Sequence, residues 1–92
     1  MTLVYEIGES RRLGRAPREE RRRQGITQAD LAARARVSRG WLIRLEAGHG
    51  TAELKSVFHV ISALDLVMTL APDRVTPEDR AGQAAFESLF NN

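Results

Sequence analysis

The sequence predicts a mainly α-helical fold: a compact bundle of four to five short helices, with one short strand at residues 66–70 placed to pair in a dimer sheet. Three observations predict it. Apolar residues recur three and four apart from Leu31 to Leu64, which is helical spacing. Cap residues and glycines (Gly25, Thr27, Ser38, Gly48) break the chain at short intervals, so each helix is brief. Leu66 to Leu70 then alternates as a strand until Pro72 stops it. Ninety-two residues make one small unit with a limited core, and pairing with a second copy would help it. We divide it into a folded domain at 1–72 and a linker with a short amphipathic helix at 73–92.

Taken in order, Leu3, Tyr5 and Ile7 alternate with Val4 and Glu6 as in a short strand, which Gly8 ends. A basic helix follows to Gln24, with Gly25 as its left-handed terminator. Pro17 falls inside this stretch. The preferred reading starts the helix near Ala16, with Pro17 in the first turn where no donor is lost; the alternative is a longer helix kinked there.

Residues 27 to 46 read as two short helices joined by a tight turn. Thr27 can cap the first, whose first turn carries Asp30 and whose inner face holds Leu31 and Ala35. Ala32 is small where two helix backbones would approach. After a break near Arg36, with Val37 plugging the turn, Ser38 supplies a second cap. The second helix turns Leu42 and Leu45 inward and leaves Arg39, Gly40, Ile43 and Arg44 outward. This is the pattern of a helix-turn-helix reader of DNA, whose outward face meets a major groove. A chance helical hairpin could show the same apolar spacing.

Beyond it, Gly48-His49-Gly50 reads as a turn. Thr51 reads as the cap of a helix with a stripe of Leu54, Val57, Phe58, Ile61 and Leu64, and with Lys55, His59 and Ser62 opposite. A strand of Leu66, Val67, Met68, Thr69 and Leu70 cannot stand alone. Its partner would be the amino-terminal strand of the same chain, that of a second chain, or its own symmetric copy. Either inter-chain option makes a homodimer, which would present two recognition helices about 34 Å apart to a palindromic site. An extended connector packed on the core is the alternative. In the tail, Thr76 and Pro77 begin a short helix whose apolar edge includes Ala81, Ala85, Phe86, Leu89 and Phe90.

Charge is distributed unevenly. Residues 1–50 hold eleven arginines against six acids, whereas residues 51–92 hold three bases against six acids, so a net +2 conceals a basic half and an acidic half. The basic half contains the recognition helix, as a phosphate-binding surface requires. There is no cysteine, and His49 and His59 have no carboxylates at ligand spacing, so we expect no metal and no cofactor. No nucleophile with a base or carboxylate pair is visible, so no enzyme is expected. The longest apolar run is too short to span a bilayer and the amino end has no secretory pattern, so we expect a cytoplasmic protein without membrane attachment.

From Leu13-Gly14 through Arg18, Arg21, Gly25-Ile26-Thr27-Gln28, Leu31-Ala32, Val37-Ser38, Leu42, Arg44-Leu45-Glu46 and Gly48, the chain resembles the Xre or Cro-like helix-turn-helix domain. Residues 51–70 are similar to the HipB-type antitoxins, which end their core with a strand that pairs across a dimer. The resemblance implies that Gln28 contacts DNA backbone or base and that Ser38, Arg39 and Arg44 occupy reading positions. Gly40, Trp41, Ile43 and Thr51 complete the expected DNA-facing set, with Trp41 either touching a backbone sugar or packed beneath the helix. Arg21 and Glu46 match a pair that forms an internal salt bridge in such domains. Two positions depart from the pattern: Arg36 stands where the turn usually has glycine, and Pro17 stands where an aliphatic core residue is usual.

The implied function is that of a type II antitoxin. A dimer represses its own operon by occupying a palindromic operator in double-stranded DNA and restrains a HipA-like serine/threonine kinase toxin. The acidic tail, through Phe86, Leu89 and Phe90, is the expected toxin anchor; the alternative is a helix that only shields the dimer core. Two other readings stand beside it: a stand-alone Xre-family repressor with no toxin, and a protein-interaction module that does not bind DNA. The last would be expected to lose the outward arginines, and Arg39 and Arg44 remain.

Overall fold

The computed structural model describes residues 4–49 and 51–73. A 3-10 turn (Ser10–Arg12) leads into α1 (Arg15–Gln24), followed by α2 (Gln28–Ala35), α3 (Arg39–Glu46) and α4 (Leu54–Ala63). The described residues form these four helices and no strand, so the fold is all-helical.

Each helix boundary has a local cause. Pro17 is the third residue of α1, inside the first turn, where its missing N–H costs no helical bond; the helix therefore begins just before it. Gly25 ends α1 at φ 74, with its own N–H and that of Ile26 closing back onto the last turn. Thr27 Oγ1 accepts from the Asp30 N–H at 3.0 Å and opens α2. Ser38 Oγ accepts from the Trp41 N–H at 3.0 Å and opens α3. Between them Arg36 adopts the left-handed conformation at φ 58, as its place in the glycine position requires. Gly48 turns the chain after α3 at φ 87, donating to the Leu45 carbonyl at 3.1 Å. Gly50, the other glycine of that expected turn, lies outside the described residues.

The core forms where α2 packs against both α3 and α4. Leu31, Ala32 and Ala35 of α2 meet Leu42 and Leu45 of α3 and Val57, Val60, Ile61 and Leu64 of the α4 region. Leu13, Ile26, Val37, Trp41, Ala63 and Leu66 pack around the edge of this cluster. Ala32, at the closest approach, is buried as its size allows.

Three sequence expectations change. Thr51 does not cap α4: the helix begins at Leu54 with Glu53 as the preceding cap residue, and no side chain bonds its free N–H groups. The buried stripe of α4 is Val57, Val60, Ile61 and Leu64, while Leu54 is 63% and Phe58 43% exposed. This stretch is apolar around much of its circumference, so two stripes were available; contact with α2 selects the one through Val60. Residues 4–8 carry no strand, because no partner edge lies beside them among the described residues. Lys55, His59 and Ser62 are exposed, in accord with the sequence reading.

Residues 66–73 carry no regular hydrogen-bonded structure within the single chain. Leu66 packs on the core and its N–H bonds the Ile61 carbonyl at 3.0 Å, while Val67, Met68, Thr69 and Leu70 are exposed. The helix expected after Thr76, with Phe86, Leu89 and Phe90, lies outside the described residues. Among the described residues, no helix is long and apolar enough to cross a membrane.

Candidate nucleic-acid interface

The surface of α3 is built by its sequence period. Leu42 and Leu45 are buried, three apart, which fixes the rotation of the helix and leaves Arg39, Gly40, Ile43 and Arg44 exposed on the other side. Trp41 is half-buried and packs on the core edge, so it supports the helix from beneath. Gly40 lies under the Arg44 guanidinium, where an added Cβ would make only an ordinary 3.6 Å contact with Arg44 Nη1. Ser38 is exposed beside the free N–H groups of the helix start.

The charge on this face is uncompensated. Among the described residues, the ion pairs are Arg11 with Glu9, Arg21 with Glu46 and Arg23 with Glu20. Arg34, Arg36, Arg39 and Arg44 are exposed and have no such partner. With the positive end of the α3 dipole at Ser38, Arg39 and Arg44 give the outer side of α3 a positive potential that attracts phosphate.

A buried ion pair holds α3 to α1. Arg21 Nε and Nη2 donate to Glu46 Oε2 and Oε1, each at 2.9 Å, in a fork. Arg21 Nη1 also donates to the Ile26 carbonyl at 3.0 Å, closing the end of α1. The two side chains retain 11% and 4% of their exposure. Gln28 turns toward this pair, not fully toward solvent: its Nε2 donates to Glu46 Oε1 at 3.2 Å. The Gln28 side chain thus ties the start of α2 to the end of α3. Thr51 is exposed, beyond the end of α3.

Two supports were not found from the sequence. Gly14 lies against the carboxyl end of α3, where a Cβ would come within 1.8 Å of the Leu45 carbonyl oxygen. Its signal was present in the Leu13-Gly14 pair, but only as part of the resemblance. The second is Glu20, buried on α1, which accepts from Tyr5 Oη at 3.0 Å, from Gln24 Nε2 at 3.0 Å and from Arg23. Gln24 Nε2 donates at 2.8 Å to the Leu64 carbonyl as well, linking α1 to the end of α4. The Arg23 hydrogen bond leads the effects that hold the Glu20 carboxyl down at about 2, against the opposing cost of burial. Burial, followed by the bond to Glu20, pushes the Tyr5 hydroxyl up. No spacing rule announces such a cluster, since Glu19-Glu20-Arg21-Arg22-Arg23 reads as a solvated charge run.

No group of three or more His, Asp or Glu side chains able to hold a metal occurs among the described residues. The arrangement is a rigid scaffold that displays one short helix with a cationic outer face. A family profile described as a helix-turn-helix domain matches residues 12–66, which contain all four of the α-helices. The chain belongs to the helix-turn-helix domain family.

Solved structures agree with this helix-turn-helix assignment. The chain is similar to the protein in a "HipB(S29A)-O2 20mer complex", with 25% identity and a TM-score of 0.71 over 78% of this chain and 100% of that one. It is similar at 25% identity and a TM-score of 0.69 to a chain of a "HipB-O1-O2 complex", over 75% of this chain and 100% of that one. A "HipA-HipB-O2-O3 complex" contains a further chain of the same fold, at 24% identity and a TM-score of 0.70, over 77% of this chain and 100% of that one. No curated protein matches the sequence.

Proposed function

We propose that this chain is the antitoxin of a type II toxin-antitoxin system: a sequence-specific DNA-binding protein that represses its own operon as a homodimer and binds a HipA-like kinase toxin. The observation that carries the DNA half is the outer face of α3, where Arg39 and Arg44 stand exposed and without an ion-pair partner on a helix fixed by buried leucines. An arginine so placed can pair bidentately with a guanine edge or hold a phosphate. The likeness to HipB solved with an O2 20mer supports this half. A cytoplasmic location follows from the same reading.

The dimer half is supported by residues 66–70. They alternate as a strand, expose Val67 (85%) and Leu70 (94%), and beyond Leu66 have no backbone hydrogen-bond partner among the described residues. A second chain would cover these groups and set two recognition helices in successive major grooves. The toxin half rests on the similarity of residues 51–70 to HipB-type antitoxins. We assign DNA binding and dimerisation to residues 1–72 and toxin engagement to 73–92, through Phe86, Leu89 and Phe90.

The assignment of Arg39 as a base reader is tested by Arg39→Ala. Affinity for a duplex carrying the palindrome next to the chain's own gene is expected to fall by roughly 1–3 kcal/mol, with a much smaller loss on a scrambled duplex. Fluorescence anisotropy on both duplexes measures this. Equal losses on the two would make Arg39 a phosphate contact, and no loss on either would remove it from the interface.

A further inference from the structure

Arg36 is held at φ 58, ψ 42, a region that L side chains enter at a cost in stability. At comparable bends the chain uses glycine, as Gly25 (φ 74) and Gly48 (φ 87) show. Asp65 is the other described non-glycine residue with positive φ, and aspartate is a residue type that tolerates this conformation. Arginine has no such local excuse. Its backbone N–H closes α2 onto the Ala32 and Ala33 carbonyls, which glycine would do equally well. Its side chain is exposed and has neither a hydrogen-bond nor an ion-pair partner among the described residues. The free protein therefore gains nothing from the guanidinium, and carries it two residues after Arg34 and three before Arg39, two more exposed cations without an ion-pair partner among the described residues.

The location of this cost supplies its reason. Arg36 lies two residues before Ser38, the cap of α3, and the amino end of a recognition helix is the part that approaches the bases. A long cation on the turn just ahead of that end reaches for the phosphate rim of the groove. Strain retained at a position with no internal compensation points to a ligand. We propose that Arg36 clamps a backbone phosphate at the edge of the groove that α3 enters, a contact that sets register and strength without reading sequence. This rests on the DNA-binding reading proposed above.

The test does not require the operator, because a phosphate contact is independent of sequence. Binding of wild type, Arg36→Gly, Arg36→Asn and Arg36→Lys to a fluorescein-labelled 20-base-pair duplex of mixed sequence is followed by anisotropy from 50 to 300 mM salt. Arg36→Gly is expected to melt a few degrees above wild type, since the strain is relieved. Its affinity is nonetheless expected to fall about three- to tenfold, and the slope of log affinity against log salt to shrink by about 1, the signature of one lost phosphate contact. Arg36→Asn should lose the same slope while remaining folded, and Arg36→Lys should keep it. Wild-type slopes in both the glycine and asparagine variants would overturn the clamp while leaving the DNA reading intact. A wild type that binds no duplex at 50 mM salt would overturn the DNA reading and the clamp with it.

Discussion

Gly14→Ala is expected to lower the melting temperature by at least about 10 °C, at roughly 4–8 °C per kcal/mol for a domain of this size. Local preference argues the other way. Gly14 sits at φ −70, ψ −15, a conformation alanine adopts without strain, and the smaller freedom of alanine in the unfolded chain would favour it by about 0.4–1 kcal/mol. Packing reverses the sign. The new Cβ would lie 1.8 Å from the Leu45 oxygen, 2.5 Å from the Leu45 carbonyl carbon and 3.0 Å from the Glu46 nitrogen, all backbone atoms of α3. No rotamer change relieves a clash with backbone, so α1 must draw away from α3, stretching the Arg21–Glu46 fork as it goes. Overpacking costs typically about 1–3 kcal/mol and occasionally more, and a clash with backbone atoms this close belongs at the upper end. Gly8→Ala, where nothing lies within 4 Å, is the matched control. Circular dichroism melts of the two variants decide the matter, and a Gly14→Ala melt within 2 °C of wild type, an order-of-magnitude tolerance on the same scale, would contradict the close approach.

The second large effect is expected at the ion pair. Glu46→Gln or Arg21→Met, made singly, leaves one charge buried without its partner and should cost on the order of 3–5 kcal/mol. For Glu46 the consequence spreads, since its oxygens also receive the Gln28 amide, and for Arg21 the Ile26 carbonyl loses its donor. The double replacement should recover part of the loss, because it removes both charges together; a double-mutant cycle on melting temperature measures that coupling. Two singles that melt like wild type would mean that solvent screens the pair. The DNA surface should suffer with the fold, as Glu46 ends the helix that carries Arg39 and Arg44.

What the sequence revealed, it revealed through short-range rules. Thr27 and Ser38 cap because a hydroxyl three residues before a free N–H can reach it, and both distances are set within one turn. Gly25 was legible as a left-handed end because glycine enters that conformation freely, whereas Arg36 was legible as one only through the resemblance, which has glycine there. Leu31, Ala35, Leu42 and Leu45 followed from helical period alone. The errors arise where a partner distant in sequence decides. Val60 displaces Leu54 and Phe58 from the core because of how α2 lies on α4, and an apolar helix does not record that choice in its own pattern. Leu3 to Ile7 alternated convincingly, yet alternation states only that a strand could form, and the described part of that segment, residues 4–7, forms none. Tyr5 instead joins Glu20, fifteen residues away, and Gln24 reaches Leu64 across forty. Gln28, which the resemblance implies contacts DNA backbone or base, also donates its amide to Glu46, eighteen residues away, a bond that its place at the start of α2 does not announce.

The claim on which the rest depends is that the outer face of α3 selects a DNA sequence. It is tested most directly by titrating the unmodified protein, near physiological salt, against a duplex carrying the palindrome beside its own gene and against the same bases scrambled. The account predicts a preference of about 10³-fold or more for the palindrome, with two protomers bound per duplex. Equal affinity for the two duplexes, or binding to neither, would contradict it.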